Sequence, residues 1–349
     1  MQKSARSGRE GDVLAVADQS GPTVSFYDVT DDRRLGSVQV LAEPHELCFD
    51  PVERLLWCTV TYRSGFYHAH NGRRTELVVV DPDARRVVEV VDLAPEQAPH
   101  GLALDARRGR LHVTVEATAD RTGGVVVIDT ATRRPVDRID TGATGSHWVA
   151  IDAAGTTAYV ANKEAPFVSA LDLDRGALTG RVEVPGSEGV AVSADGAYAF
   201  VAAPYGGSFA GDEDPAPGVR VVDTRTATVV ETLPTDHRAM PLHLTAAGKL
   251  LVGEVCTESD PAGGATRMAP GRLTVFAADT RERLGGLEVG LCPLSLTSSP
   301  DGRLAYVACY ASSTVHVVDL DALRHLARID VSASGVPGAH GLAYVPRAA

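Results

Sequence analysis

Four histidines and one glutamate fall at the same point of a phrase that recurs along this 349-residue chain. The phrase is a small or proline residue, then the position of interest, then an alternating apolar stretch. It reads Pro44-His45-Glu46-Leu47, Pro99-His100-Gly101-Leu102, Ser146-His147-Trp148-Val149, Ser187-Glu188-Gly189-Val190 and Ala339-His340-Gly341-Leu342. Two further copies, Pro241-Leu242-His243-Leu244 and Pro293-Leu294-Ser295-Leu296, carry leucine there. Copies arranged around one axis bring His45, His100, His147 and His340 together. Imidazole is the commonest side-chain ligand of Zn, Cu, Fe and Ni, and three or four on one ion make an ordinary ligand set. Glu188 is then either a further ligand or a general base beside the ion, and His243, one place along, is a second candidate catalytic group. A lone histidine at a solvated position usually meets only water. Four at equivalent positions point to a metal.

The elements that must position these residues are short strands. Taking residues 45, 100, 147, 188, 242, 294 and 340 as equivalent gives spacings of 55, 47, 41, 54, 52 and 46 residues. That brackets the period of roughly 40 to 50 residues expected of a four-stranded propeller blade. A second strand follows each phrase, as in Ala158-Tyr159-Val160-Ala161-Asn162. A third ends on aspartate in six blades, at Asp28, Asp81, Asp129, Asp172, Asp223 and Asp319, where the carboxylate opens a turn by accepting backbone N–H bonds. A fourth, outer strand completes the unit. The reading is an all-β, seven-bladed propeller with four antiparallel strands per blade. Residues 1–12 form a flexible N-terminal segment and 13–346 a single domain. Because the chain enters at a second-type strand, Val13 to Asp18, the first blade needs its innermost strand from His340 to Val345. That three-plus-one closure removes an open sheet edge.

Tyr159-Val160-Ala161-Asn162 and Ser299-Pro300-Asp301-Gly302 closely match the consensus of the YVTN family of propeller repeats, which the chain resembles from Val13 to Val345. The resemblance implies the fold and little chemistry, since propellers host many functions. In arrangement alone, the histidine arc is similar to that of carotenoid-cleaving oxygenases, seven-bladed propellers that hold iron on four central histidines. It is also similar to that of oligogalacturonate lyases, which hold a divalent metal on central histidines.

Connections between second and third strands project over the same mouth. They are short at Asp18 to Thr23, Asn162 to Phe167 and Cys309 to Thr314, and long at 61–75, 203–218 and 255–272. Long loops in compact domains are usually functional or disordered. The first carries Tyr62, Arg63, Tyr67 and His68, a mixture of aromatic and cationic groups suited to contacting substrate. His68-Ala69-His70 by itself is only a weak metal pair. Asp18 and Glu116, at equivalent ends of second strands, are candidates to orient histidine N–H groups.

The net charge of −12 argues against nucleic acid or an anionic membrane surface as partner, since both select basic patches. No run approaches the roughly 18 apolar residues of a membrane span. The first twelve residues hold no apolar stretch, and the five cysteines include no CxxC pair, which together suit reduced thiols in a cytoplasmic protein. P-loop, GxGxxG, GxSxG and HExxH motifs are absent. The expected function is that of a metal-dependent enzyme acting on a small molecule at the channel mouth. An imidazole-dominated ligand set favours a divalent Fe, Cu or Zn ion over Mg or Ca, and with it an oxidoreductase or oxygenase. The alternatives are a metal-dependent lyase on the same residues and a non-catalytic propeller that binds a ligand or protein.

Overall fold

A computed structural model describes residues 10–66, 69–204, 217–258, 267–332 and 338–348. The chain forms seven four-stranded antiparallel sheets arranged as propeller blades, plus a two-stranded hairpin, Gly65–Phe66 with Ala69–His70. In each blade the strands run in order from the inner edge outward. Blade 2 is built from Pro44–Asp50, Leu55–Val60, Glu76–Asp81 and Arg86–Asp92. Blades 3 to 7 have the inner strands Leu102–Asp105, Ser146–Ile151, Val190–Val192, Arg238–Leu244 and Pro293–Ser298.

Period-two alternation builds the core. On the second strand of blade 2, Leu56, Cys58 and Val60 pack toward blade 1, whereas Trp57 between them packs toward blade 3. Each of the seven junctions between neighbouring blades holds its own cluster of buried apolar side chains in this way. Stability is therefore spread around the ring rather than concentrated on the axis. The channel is left free for polar groups.

The aspartates ending the third strands do what the sequence implies. Asp129 Oδ1 accepts from the Thr132 amide at 2.8 Å, Asp172 from Arg175 and Asp223 from Thr226. Four residues after each such position the backbone turns left-handed, at Asp32, Arg85, Arg133, Gly176, Ala227 and Leu323. The Arg133 amide reaches back to the Asp129 carbonyl at 2.8 Å, closing the turn.

Blade 1 closes as expected. Val13–Asp18 pairs on one side with Thr23–Asp28 and on the other with Ala339–Val345, so strands from both ends of the chain lie in one sheet. Asp12, at the last position of the presumed flexible segment, is buried. It accepts the Tyr344 hydroxyl at 2.5 Å and the Arg347 amide at 2.9 Å. Residues 1–9 lie outside the described residues. Among the described residues no helix is long and apolar enough to cross a membrane.

Deleting residues 339–349 removes the inner strand of blade 1, strands the Asp12 carboxylate and bares the edge of Val13–Asp18. The expected product is insoluble or melts far below the parent. A truncated protein with the parental thermal midpoint would contradict closure through this strand.

Candidate functional site

The residues at the ring position sit where the inner strands depart from regular pairing. Register against the second strand shifts between Pro44 and Leu47, Ser146 and Val149, Ala239 and Leu242, and Pro293 and Ser295, and between Val16 and Asp18 opposite Ala339–Leu342. In blades 3 and 5 the inner strand starts only at Leu102 and Val190, after the residue concerned. An interrupted ladder re-aims side chains, here toward the axis.

Glycine sets how closely the blades approach. A Cβ on Gly341 would lie 2.3 Å from the His45 carbonyl oxygen, and one on Gly101 would lie 2.5 Å from that of His147. The Gly101 amide donates to the His147 carbonyl at 3.0 Å. Each glycine directly follows a ring histidine, so the histidines of neighbouring blades are drawn together. Ring centroids are 4.1 Å apart for His45 and His340, 4.2 Å for His45 and His100, and 3.5 Å for His100 and His147. All four histidines are buried.

Two carboxylates flank this arc. Glu46 Oε1 lies 3.1 Å from His340 Nδ1 and 3.5 Å from His45 Nδ1. The ligand atoms of these three residues all fall within 4.8 Å of one another. Glu188 Oε2 lies 3.0 Å from His147 Nδ1, and its Oε1 lies 2.6 Å from the Lys163 ammonium. Glu188 is thus engaged from both sides. Sequence reasoning passed over both Glu46 and Lys163. Glu46 immediately follows a ring histidine, and Lys163 begins the short loop after the second strand of blade 4, which is the signal that points to the mouth.

Electrostatics keep part of this arc neutral. Burial, reinforced by His340, pushes His45 down to about 3. Burial, with His147 and His45 adding to it, holds His100 well below the usual imidazole value. Burial raises Glu46, but His340 and His45 outweigh it and bring the carboxyl down to about 2. Glu188 is likewise lowered against its burial, by Lys163 and then His147, while burial brings Lys163 down to about 8 against the pull of Glu188. Both ring nitrogens of His100 are buried with no hydrogen-bond partner among the described residues. An unpaired buried acceptor is unfavourable by about 1–3 kcal/mol, and a metal ion is the partner that neutral imidazole suits best. Among the described residues, His45, Glu46 and His340 bring three ligand atoms close enough together to hold such an ion.

Above the arc lies a cavity of about 430 Å³ whose wall includes His45, His100, His147, His340, Glu188 and Lys163. Glu46 is not part of that wall. It faces a second cavity of about 310 Å³ further along the channel, shared with His243. His243 therefore does not join the histidine arc. Its Nε2 lies 2.9 Å from the Ser298 hydroxyl, and burial holds it down to about 4.

The long loop of blade 2 is in part an ordered structure. Tyr62 is buried, donates its hydroxyl to Glu116 at 2.5 Å and stacks on His70 at 4.5 Å. Arg63 is exposed, with its amide bonded to the Gly72 carbonyl. Of this loop, Ala69 lines the cavity. Tyr67 and His68 lie outside the described residues. The expectation that Asp18 and Glu116 orient histidines does not hold for their resolved partners. Asp18 accepts from the Thr23 and Ser25 hydroxyls, each at 2.7 Å, and Glu116 from Tyr62 and Arg73. The Thr23 and Ser25 hydroxyls take one carboxylate, and the Tyr62 hydroxyl and Arg73 guanidinium the other.

No family model matches the chain. It is 27% identical over 223 residues to the uncharacterized protein YncE of Salmonella typhi and to that of Salmonella typhimurium. The match takes in 62% of this chain and 55% of each relative, so it spans about half the length of those proteins. Among solved structures, hydrazine synthase of Kuenenia stuttgartiensis superposes with a TM-score of 0.62 at 17% identity, covering 87% of this chain and 86% of that one. That likeness is one of fold: a seven-bladed β-propeller.

Two outcomes test the electrostatics. His45 and His100 take up protons less readily folded than unfolded, where imidazole titrates near about 6.5. Their contribution to stability is thus intact above about pH 6.5 and is lost as pH falls toward 3. In chelator-treated protein, urea denaturation between pH 7 and 4.5 should show falling stability. His100→Leu should flatten that slope, by up to about 1.4 kcal/mol per pH unit. An unchanged slope would mean that His100 is not held neutral.

Separately, Lys163→Met strands the buried Glu188 carboxylate and should destabilise by about 3–5 kcal/mol, with the Lys163→Met/Glu188→Met pair recovering most of it. Additive losses would show that the two residues do not form a coupled buried pair.

Proposed function

We propose that the mouth of this propeller binds a divalent transition metal and acts on a small molecule in the cavity above it. The observation that carries this reading is the arc itself: four buried imidazoles in successive ring contact, with both nitrogens of His100 unpartnered among the described residues. Symmetry alone does not require histidine at these positions, and leucine stands at two of the seven.

In this reading His340, His45, His100 and His147 hold the ion. Glu46 and Glu188 stand 3.1 Å and 3.0 Å from Nδ1 of His340 and His147, behind the rings, and favour the opposite ring nitrogen as the one that faces the cavity. Carboxylates behind ligating histidines fix both tautomer and ring orientation. The neutrality of His45 and His100 supports ligation, because a protonated imidazole has no lone pair to give. Imidazole ligands suit Fe, Cu or Zn, which supply redox or Lewis-acid chemistry when bound. Glu188 is occupied by Lys163 and His147, so it is not a free base for an elimination. This favours an oxidoreductase over a lyase. His243, bonded to Ser298 on the far cavity, is left without a part in this site. We also read the repeats as YVTN-type, on the phrases at 159–162 and 299–302 and the partial match to the YncE proteins.

Elemental analysis of untagged protein should find close to one transition metal per chain. Single alanine substitutions of His45, His100, His147 and His340 should lower occupancy at least tenfold with the far-UV spectrum of the parent. His112→Ala and His325→Ala, away from the mouth, should leave it unchanged. Glu46→Gln and Glu188→Gln should weaken metal affinity by roughly 10- to 100-fold. A parent that takes up no metal from a supplemented medium, or ring variants that keep full occupancy, would overturn the proposal and favour a metal-free binding propeller.

A further inference from the structure

The cavity at the mouth is two-sided. Blades 1 to 5 present the histidines, Glu188 and Lys163, while blades 6 and 7 present the apolar Met240, Pro241, Val255 and Leu294, with Arg238, Thr257 and Tyr310 as their polar members. Met268, on the long hairpin of blade 6, reaches over the same space, and Trp148 stands beside the arc. Trp148 meets His100 and His147 edge-on, with centroids 5.8 Å and 6.3 Å away. The asymmetry follows from sequence at the ring position. Where five blades carry His or Glu, blade 7 has Leu294, and in blade 6 Met240 and Pro241 take the wall because Leu242 turns toward the second cavity.

Building on the metal reading above, we propose that the small molecule taken up here is amphipathic: an apolar body lies along blades 6 and 7, and a single polar head meets the histidine arc. Water gains few hydrogen bonds along the wall formed by Met240, Pro241, Val255 and Leu294, so an apolar group displaces it favourably. The opposite wall offers metal-binding nitrogens to only one end of the ligand. A uniformly polar molecule such as a sugar would leave hydroxyls unpaired along Met240, Pro241, Val255 and Leu294, which is unfavourable. The cavity volume is in the range that holds one small molecule.

The test compares acetohydroxamate with octanohydroxamate, which share a metal-binding head and differ in chain length. Binding to the full-length, metal-loaded protein is measured by calorimetry. Each buried methylene is worth about fourfold in affinity, so the longer probe should bind roughly 30-fold or more tightly. Leu294→Asp should cut that preference at least tenfold, read as the ratio of the two affinities measured on the same metal-loaded variant. If that variant fails to fold, Met268→Asp, on a half-exposed side chain, is used in its place. Equal affinity for the two probes in a protein with full metal content would overturn the amphipathic substrate and leave the metal site standing. If the parent takes up no metal, the metal reading fails. The apolar wall is then judged on octanoate against acetate: a preserved preference for the longer chain upholds this inference, and its absence overturns it.

Discussion

The mouth of this propeller depends on how closely neighbouring inner strands approach. Gly341 and Gly101 sit where any side chain would collide with the backbone of the next blade, at 2.3 Å and 2.5 Å. Gly189 does the same between blades 5 and 6, where a Cβ would meet the Met240 carbonyl oxygen at 2.5 Å. Each of these glycines directly follows a ring residue, His340, His100 or Glu188. Close backbone packing and convergence of polar side chains are thus one device. An alanine at Gly101 would push blade 4 away and carry His147 with it.

That convergence is unfavourable without compensation. Burying His45 and His100 among other imidazoles disfavours their protonated forms, and burial drives both down. The structure compensates with two carboxylates placed at the two ends of the arc. Glu46 serves His340 and His45, whereas Glu188 serves His147 and is itself matched by Lys163. The result is a compact set of imidazoles between anchored carboxylates, in a protein whose apolar stabilisation lies elsewhere, at the seven junctions between blades. Separation of core from channel lets the axis carry polar chemistry without weakening the fold.

Much of this was legible in the sequence because the fold is periodic. The repeated phrase, strand alternation and aspartate-led turns each recur seven or six times, so local signals reinforce one another, and the ring position follows from register alone. His45, His100, His147, His340 and Glu188 were found that way, and the closure of blade 1 followed from which strand type begins and ends the described chain. What periodicity does not encode is the direction of individual side chains where the ladder breaks. Glu46 by simple alternation points away from its neighbour His45, yet the bulge between Pro44 and Leu47 brings it under His45 and His340. Lys163 belongs to a loop with no repeat signature, and only the packing of blade 4 against blade 5 places its ammonium on Glu188. Asp18 and Glu116 were placed correctly near the mouth, but their nearest donors were hydroxyls and an arginine rather than histidines. Sequence determined the seven-fold frame and the residue types on the axis, because both repeat with the blade. Tertiary structure alone decided which of those groups touch and which are neutral, because those properties depend on distances between segments as far apart as residues 46 and 340.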